Sequence, residues 1–321
     1  MENNYLNTNR LKYFPVMMYT IVMGIGGLTI AYQKATIWLG VYDIFATILM
    51  YITMVLFILI SITYIVKYWK YKAIVENEFS HPIRINFFAT ISISMLMLVI
   101  IYKESHPIIS EMFWYPGVLL HFYLTMYTIS FWINHNQELK HSSPAWFIPI
   151  VGNVLVPIAG VDFVDNEILM YFFSVGIFFW FILFSIIFNR IIFHNQFALK
   201  FIPTLFILIA PPAIGFVSYY KMFGVIDLFA TFLFNISIFF TLLTVFMYKI
   251  FFKIKFFISW WAFVFPSAAM TISIMLMQHI TGNNVLFYCS YLMLIATTLI
   301  FIVVIFQTIK NINHQNICVE E

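Results

Sequence analysis

Ten uninterrupted apolar runs leave this chain little choice but to cross a bilayer as helices. They fall at 14–33, 41–66, 86–102, 109–133, 145–161, 168–189, 201–220, 225–248, 256–279 and 285–309. A membrane helix needs about 20 mostly apolar residues, whereas a membrane barrel shows ~10-residue segments of alternating polarity. These runs are continuous and too long for strands. Of the 321 residues, 63% are hydrophobic and only 9% charged, against about 25% charged in a soluble domain. Too few polar groups remain to cover a soluble fold, which excludes a soluble enzyme or a disordered chain. A net charge of +3 gives no basic footprint for nucleic acid. The expected fold class is an all-α polytopic membrane protein. One transmembrane unit spans 14–309, between an N-terminal segment 1–13 and a short polar tail 310–321. The opening MENNYLNTNRLKYF carries no small-residue cleavage site, so the first run is expected to remain in the mature chain.

Orientation follows from the loop lysines and arginines. Arg10, Lys12, Lys67, Lys70, Lys72, Arg84, Lys140, Arg190, Lys200, Lys249, Lys253, Lys255 and Lys310 fall on the side of the termini. Lys34, Lys103 and Lys221 fall opposite. This bias predicts both termini in the cytoplasm, in agreement with an even number of spans. The abundance of Ile, Phe, Asn and Lys points to an AT-rich bacterial genome and an inner-membrane location.

Helix breakers concentrate in the odd runs: Pro15 with Gly24, Gly26 and Gly27; Pro149, Gly152 and Pro157; Pro211, Pro212 and Gly215; and Pro266. Proline removes an amide donor, and the freed carbonyl in a membrane needs a neighbour or a wet cavity. Odd spans lining a common interior satisfy that need, and close packing of bent helices is the alternative. Even runs such as FFSVGIFFWFILFSIIF are apolar all round and suit an outer, lipid-facing ring.

The middles of the runs carry essentially no charge. Intramembrane charges ordinarily mark relays and substrate sites, so a proton-coupled pump lacks its usual carboxylate. His121 is the one titratable group deep in a run, and a helix-packing hydrogen bond explains it. His135 and His141 share a loop at a spacing weak for metal ligation. Two cysteines, Cys289 and Cys318, give no disulfide framework. No nucleophile sits beside a base. Neither an enzyme, a cofactor nor a metal site is expected. A pore without fixed charge still passes ions, because dipoles and aromatic edges bind them weakly enough to release them.

Five segments then occur together in order: FPVMMYTIVMGIGGLTIAY in the first run, HPIRINFFA before the third, PAWFIPIVGNVLVPIAG in the fifth, PTLFILIAPPAIGFVSYY in the seventh and WWAFVFPSAAM in the ninth. Over essentially its whole length the chain resembles the tellurite-resistance/dicarboxylate transporter family, which includes the bacterial TehA proteins and the plant slow-type anion channels. The resemblance implies ten helices as five hairpins with quasi-fivefold symmetry around one pore per subunit, in a homotrimer within the lipid bilayer. It also implies a pore-closing phenylalanine on the ninth span, in a segment of the type W-A-F-x-F. That segment is Trp261 to Phe265 here, so the matching gate is Phe265, with Phe263 its near rival. Arg84 matches a basic position at the cytoplasmic mouth, where it either concentrates anions or anchors to lipid headgroups. Pro15, Pro149, Pro157, Pro211 and Pro266 are expected to kink pore-lining helices. The long phosphorylated termini of plant members have no counterpart in this sequence.

The function expected is a gated channel for small monovalent anions such as chloride or nitrate. The alternative is a secondary carrier for a C4-dicarboxylate or sulfite. A dicarboxylate site favours a buried cationic pair, which the runs do not offer.

Overall fold

The computed structural model describes residues 10–195 and 197–319, with the Lys140 side chain excepted. The expected N-terminal segment 1–13 therefore lies mostly outside the described residues, as do the last two residues of the tail. Twelve α-helices are present among the described residues: α1 (Tyr19–Leu39), α2 (Ile44–Lys70), α3 (Lys72–Phe79), α4 (Ala89–Tyr102), α5 (Pro107–Asn134), α6 (Ile148–Gly160), α7 (Asn166–Phe193), α8 (Ala210–Phe223), α9 (Leu228–Phe246), α10 (Tyr248–Phe251), α11 (Trp261–Thr281) and α12 (Asn284–Asn313). Helix is the expected form because a chain in hydrocarbon must satisfy its own backbone groups. Eight helical stretches are long and apolar enough to cross a membrane. The other two runs correspond to α5, which carries Pro116, and to the shorter apolar stretch Pro144–Gly160.

Several run boundaries need correction. α1 continues to Leu39, α2 to Lys70, α7 to Phe193, α8 to Phe223 and α12 to Asn313, so Lys34, Lys67, Lys70, Arg190, Lys221 and Lys310 lie within helices instead of loops. Lys67 and Arg190 are buried with their charges satisfied. Arg190 donates to the carbonyls of Leu139 and Asn195, and Lys67 pairs with Glu78 at 2.7 Å. Hydropathy places such residues outside a span because it weighs the charge and not its partner. The short α3 and α10 lie in loops that hydropathy leaves featureless.

Every odd span begins in a 3-10 segment: Val16–Met18, Arg84–Phe88, Pro144–Phe147, Leu199–Leu208 and Ile258–Trp260. The fourth runs for 10 residues, well beyond the usual three or four. This repeat changes the reading of the prolines. Pro15 precedes the first 3-10 turn, and Pro149 and Pro211 are the second residues of α6 and α8. Proline is favoured there because the first-turn amides have no intrahelical partner. These three open helical segments instead of bending them, and of the five prolines expected to kink the inner helices Pro157 and Pro266 lie inside one.

The odd-span helices α1, α4, α6, α8 and α11 each pack against the next, and α11 closes back on α1. Outside this five-helix ring, α2, α5, α7, α9 and α12 each pack on their hairpin partner and on one further inner helix. Burial separates the two sets. Over their most apolar stretches four inner spans are 78–83% buried and four outer ones 22–33%. The exposed outer faces carry large apolar side chains such as Ile108, Leu119, Leu242 and Phe306. The odd/even division expected from the glycines and prolines is therefore the architecture itself.

His121 is fully buried, on the inward face of the outer helix α5. Its Nδ1 lies 2.9 Å from Ser92 Oγ on α4, and its Nε2 3.4 Å from Thr125 Oγ1. Thr125 donates in turn to the Pro149 carbonyl of α6 at 3.2 Å and accepts from Asn153 Nδ2. This is the packing role expected of it. The imidazole fits because Gly152 faces it: a Cβ there would stand 2.0 Å from His121 Cε1. Gly152→Ala is accordingly expected to destabilise the fold by about 1–3 kcal/mol, read as a lower unfolding temperature in detergent.

The start of α1 is pinned by a buried clasp. Glu78 accepts from the Val16 amide at 2.8 Å, from Tyr64 Oη at 3.1 Å and from Lys67 Nζ, while Lys67 also donates to the Phe14 carbonyl at 2.8 Å. The break at Tyr71 between α2 and α3 returns Glu78 to Lys67.

Candidate anion pathway

Two cavities of about 40 Å³ each lie within the five-helix ring, and both are lined from all five inner helices. The lining residues form one stripe per helix. On α1 the stripe is Thr20, Met23, Gly27 and Ile30; on α6 it is Ile148, Val151, Leu155 and Ile158. The steps of three and four keep one face of an α-helix toward the centre. In the fourth inner span the stripe reads Thr204, Ile207, Ala210, Ile214 and Val217. Its first steps are threes, as a 3-10 helix requires.

The lining is apolar. The cavity nearer the termini includes Thr20, Thr204 and Ser259, but their hydroxyls donate to the carbonyls of Met17, Phe201 and Lys200 at 2.5–2.7 Å. The second cavity has no polar side chain in its lining. No charged side chain lines either one.

Phe265 is the one residue, among those described, that lines both cavities. It therefore stands at the boundary between them. Across from it, a Cβ on Gly27 would stand 3.3 Å from Phe265 Cδ2, so glycine makes room for the ring. Phe263 is placed differently. It is buried in an aromatic cluster with Phe206, Phe251 and Trp260, at centroid distances of 4.8, 5.7 and 5.7 Å, and it lines neither cavity. Phe263→Ala is expected to cost about 3–5 kcal/mol of stability without opening the space between the cavities, measurable as a lower unfolding temperature with unaltered anion flux. Pro266 lines the first cavity directly beside Phe265, whereas Pro15, Pro149, Pro157 and Pro211 line neither.

Toward the termini, Arg84 borders a wider opening of about 340 Å³ with Lys12, Lys67 and Glu78. Phe87 borders both this opening and the first cavity. Burial, followed by the charges of Arg84, His141 and Lys200, holds His81 below its ordinary pKa. Basic groups from three loops thus gather at this mouth. The His81 Nδ1 accepts from the amides of Ile83 and Arg84, fixing the turn that presents Arg84.

Sequence reading located the candidate gate but missed the stripes. The signal was available: in each odd span, residues spaced three and four apart past the 3-10 start mark the inner face.

Comparison with known proteins agrees with this architecture. The chain is 29% identical over 269 residues to the S-type anion channel SLAH2 of Arabidopsis thaliana, covering 81% of this chain and 51% of that protein. It is 23% identical over 278 residues to the guard cell S-type anion channel SLAC1 of the same plant, covering 82% and 49%. An uncharacterized transporter of Methanocaldococcus jannaschii is 24% identical over 328 residues, covering 94% of this chain and 96% of its own length. The chain therefore spans about half the length of these plant relatives and nearly all of the archaeal one. The model of the SLAC1 family, described as voltage-dependent anion channels, matches residues 13–309, and the chain belongs to that family.

Proposed function

We propose that this protein is a gated channel for small monovalent anions such as chloride and nitrate, with one pore per subunit occluded by Phe265. The observation that carries the reading is the single phenyl ring between two otherwise uncharged cavities in the five-helix ring. An apolar constriction gates by excluding water, and weak binding along the remainder permits exit. The S-type anion channels among its relatives support the same reading. Arg84 raises the local anion concentration at the mouth near the termini. The prolines inside α6 and α11 release carbonyls near the lumen, and Pro266 allows the segment carrying Phe265 to move. In this reading the protein is a homotrimer in the cell membrane with both termini cytoplasmic, as the lysine and arginine bias requires, and it performs no enzymatic chemistry.

Flux into proteoliposomes separates this reading from a carrier. Chloride or nitrate flux driven by membrane potential, without saturation at millimolar anion and without dependence on a proton gradient, supports the channel. Saturable, proton-dependent uptake of malate or sulfite with no chloride flux would replace it with the carrier.

A further inference from the structure

The five inner helices run in one direction, because each is the first member of its hairpin. Their N-terminal ends all face the mouth near the termini, and their C-terminal ends all face the opposite mouth. A helix carries roughly half a positive charge at its N-terminus and half a negative charge at its C-terminus. The far mouth is therefore the less favourable end for an anion unless side chains offset it.

The stripes supply that offset. Following each one turn past the second cavity, Ile30 leads to Lys34, Ile100 to Lys103, Ile158 to Asp162 and Val217 to Lys221. The apolar lining is thus followed by three lysines and one carboxylate: Lys34 and Lys221 lie on α1 and α8, and Lys103 and Asp162 just beyond the ends of α4 and α6. These three are all the lysines assigned to this side of the membrane, and each stands three or four residues past a residue lining the second cavity. Lys103 contacts Asp162, and Lys34 lies 3.3 Å from Glu104. Lys221 makes no direct ion pair among the described residues, although the Glu104 carboxylate lies near enough to act on it. Burial, then Lys221 and Lys34, draw the Lys103 pKa down to about 8, with Glu104 and the adjoining Asp162 carboxylate acting oppositely. The ammonium groups are close enough to repel one another.

We propose that Lys34, Lys103 and Lys221 form an anion-collecting vestibule at the mouth opposite the termini, with Lys221 the lysine not held in a direct ion pair. This deepens the channel reading and rests on the same pathway.

The test uses chloride currents through the Phe265→Ala protein in planar bilayers, with and without Lys221→Gln. At low salt (~10 mM, screening length ~30 Å) the added substitution is expected to lower the current about threefold, from loss of one charge near the pathway. At ~1 M salt, where the screening length is ~3 Å, the difference should vanish. Lys70→Gln, which removes the same charge at the end of an outer helix, should leave the current unchanged. Equal currents at low salt with and without Lys221→Gln, or an equal loss at both salt concentrations, would overturn the vestibule while leaving the channel intact. If Phe265→Ala passes no current, the gate reading fails, and bromide then tests the vestibule alone. An anomalous bromide peak beside Lys221 Nζ in crystals of the unmodified protein, lost in Lys221→Gln, supports it, and no peak there overturns it.

Discussion

Phe265→Ala is expected to raise the chloride conductance of the reconstituted protein by about tenfold or more, equivalent to lowering a barrier by at least ~1.4 kcal/mol. The two cavities meet at this side chain and at no other described residue. A bare anion entering apolar surroundings loses its hydration without compensation, so under the proposed reading a ring at this boundary would be the largest obstacle on the path. Truncation joins the cavities and admits water. The stability cost should be smaller than for Phe263→Ala, because the Phe265 ring borders open space where the Phe263 ring is enclosed by aromatic neighbours. Currents from wild type and variant in planar bilayers measure the effect. An unchanged current, with the variant folded, would place the closure elsewhere.

Glu78→Ala is expected to destabilise the protein by about 3–5 kcal/mol, because it leaves a buried ammonium without its counter-ion. The Lys67 and Glu78 side chains are each only 3% exposed. The carboxylate also holds the Val16 amide, at the first turn of the first inner span, so its loss orphans a donor at the base of α1. Replacing both charges, as Lys67→Met with Glu78→Leu, should recover much of the loss, since a buried pair seldom outperforms a well-packed apolar one. Thermal unfolding in detergent separates the cases. A single variant within ~1 kcal/mol of wild type would show that water or another group compensates the charge.

Much of this fold is legible in the sequence because the bilayer restricts the choices. Ten apolar runs leave helices as the only continuous solution, and the glycines and prolines of odd runs identify the inner ring. Gly24 and Gly152 show why: each lies where a side chain from a neighbouring helix, Trp261 or His121, occupies the space of a Cβ. Phe265 was legible only through family resemblance, since nothing in its local sequence distinguishes it from Phe263. The two rings separate only when the α11 stripe through Ala262, Phe265, Ala269 and Ile272 is aligned with its four counterparts. Lys34, Lys103 and Lys221 were counted for orientation, and their common position on the inner face emerged from the helix phase. The Lys67–Glu78 clasp stayed hidden because its partners are brought together by the break at Tyr71, which hydropathy does not register. Pro149 and Pro211 were expected to bend helices, but the preceding 3-10 segments shift the start of each α-helix to the residue just before the proline.

The central claim, an anion-selective path through the five-helix ring, is tested most directly by the reversal potential of Phe265→Ala under a tenfold potassium chloride gradient. The account predicts a value near the chloride equilibrium potential, about 59 mV in magnitude and of the sign set by chloride. A reversal near zero, or of the sign set by potassium, would contradict it.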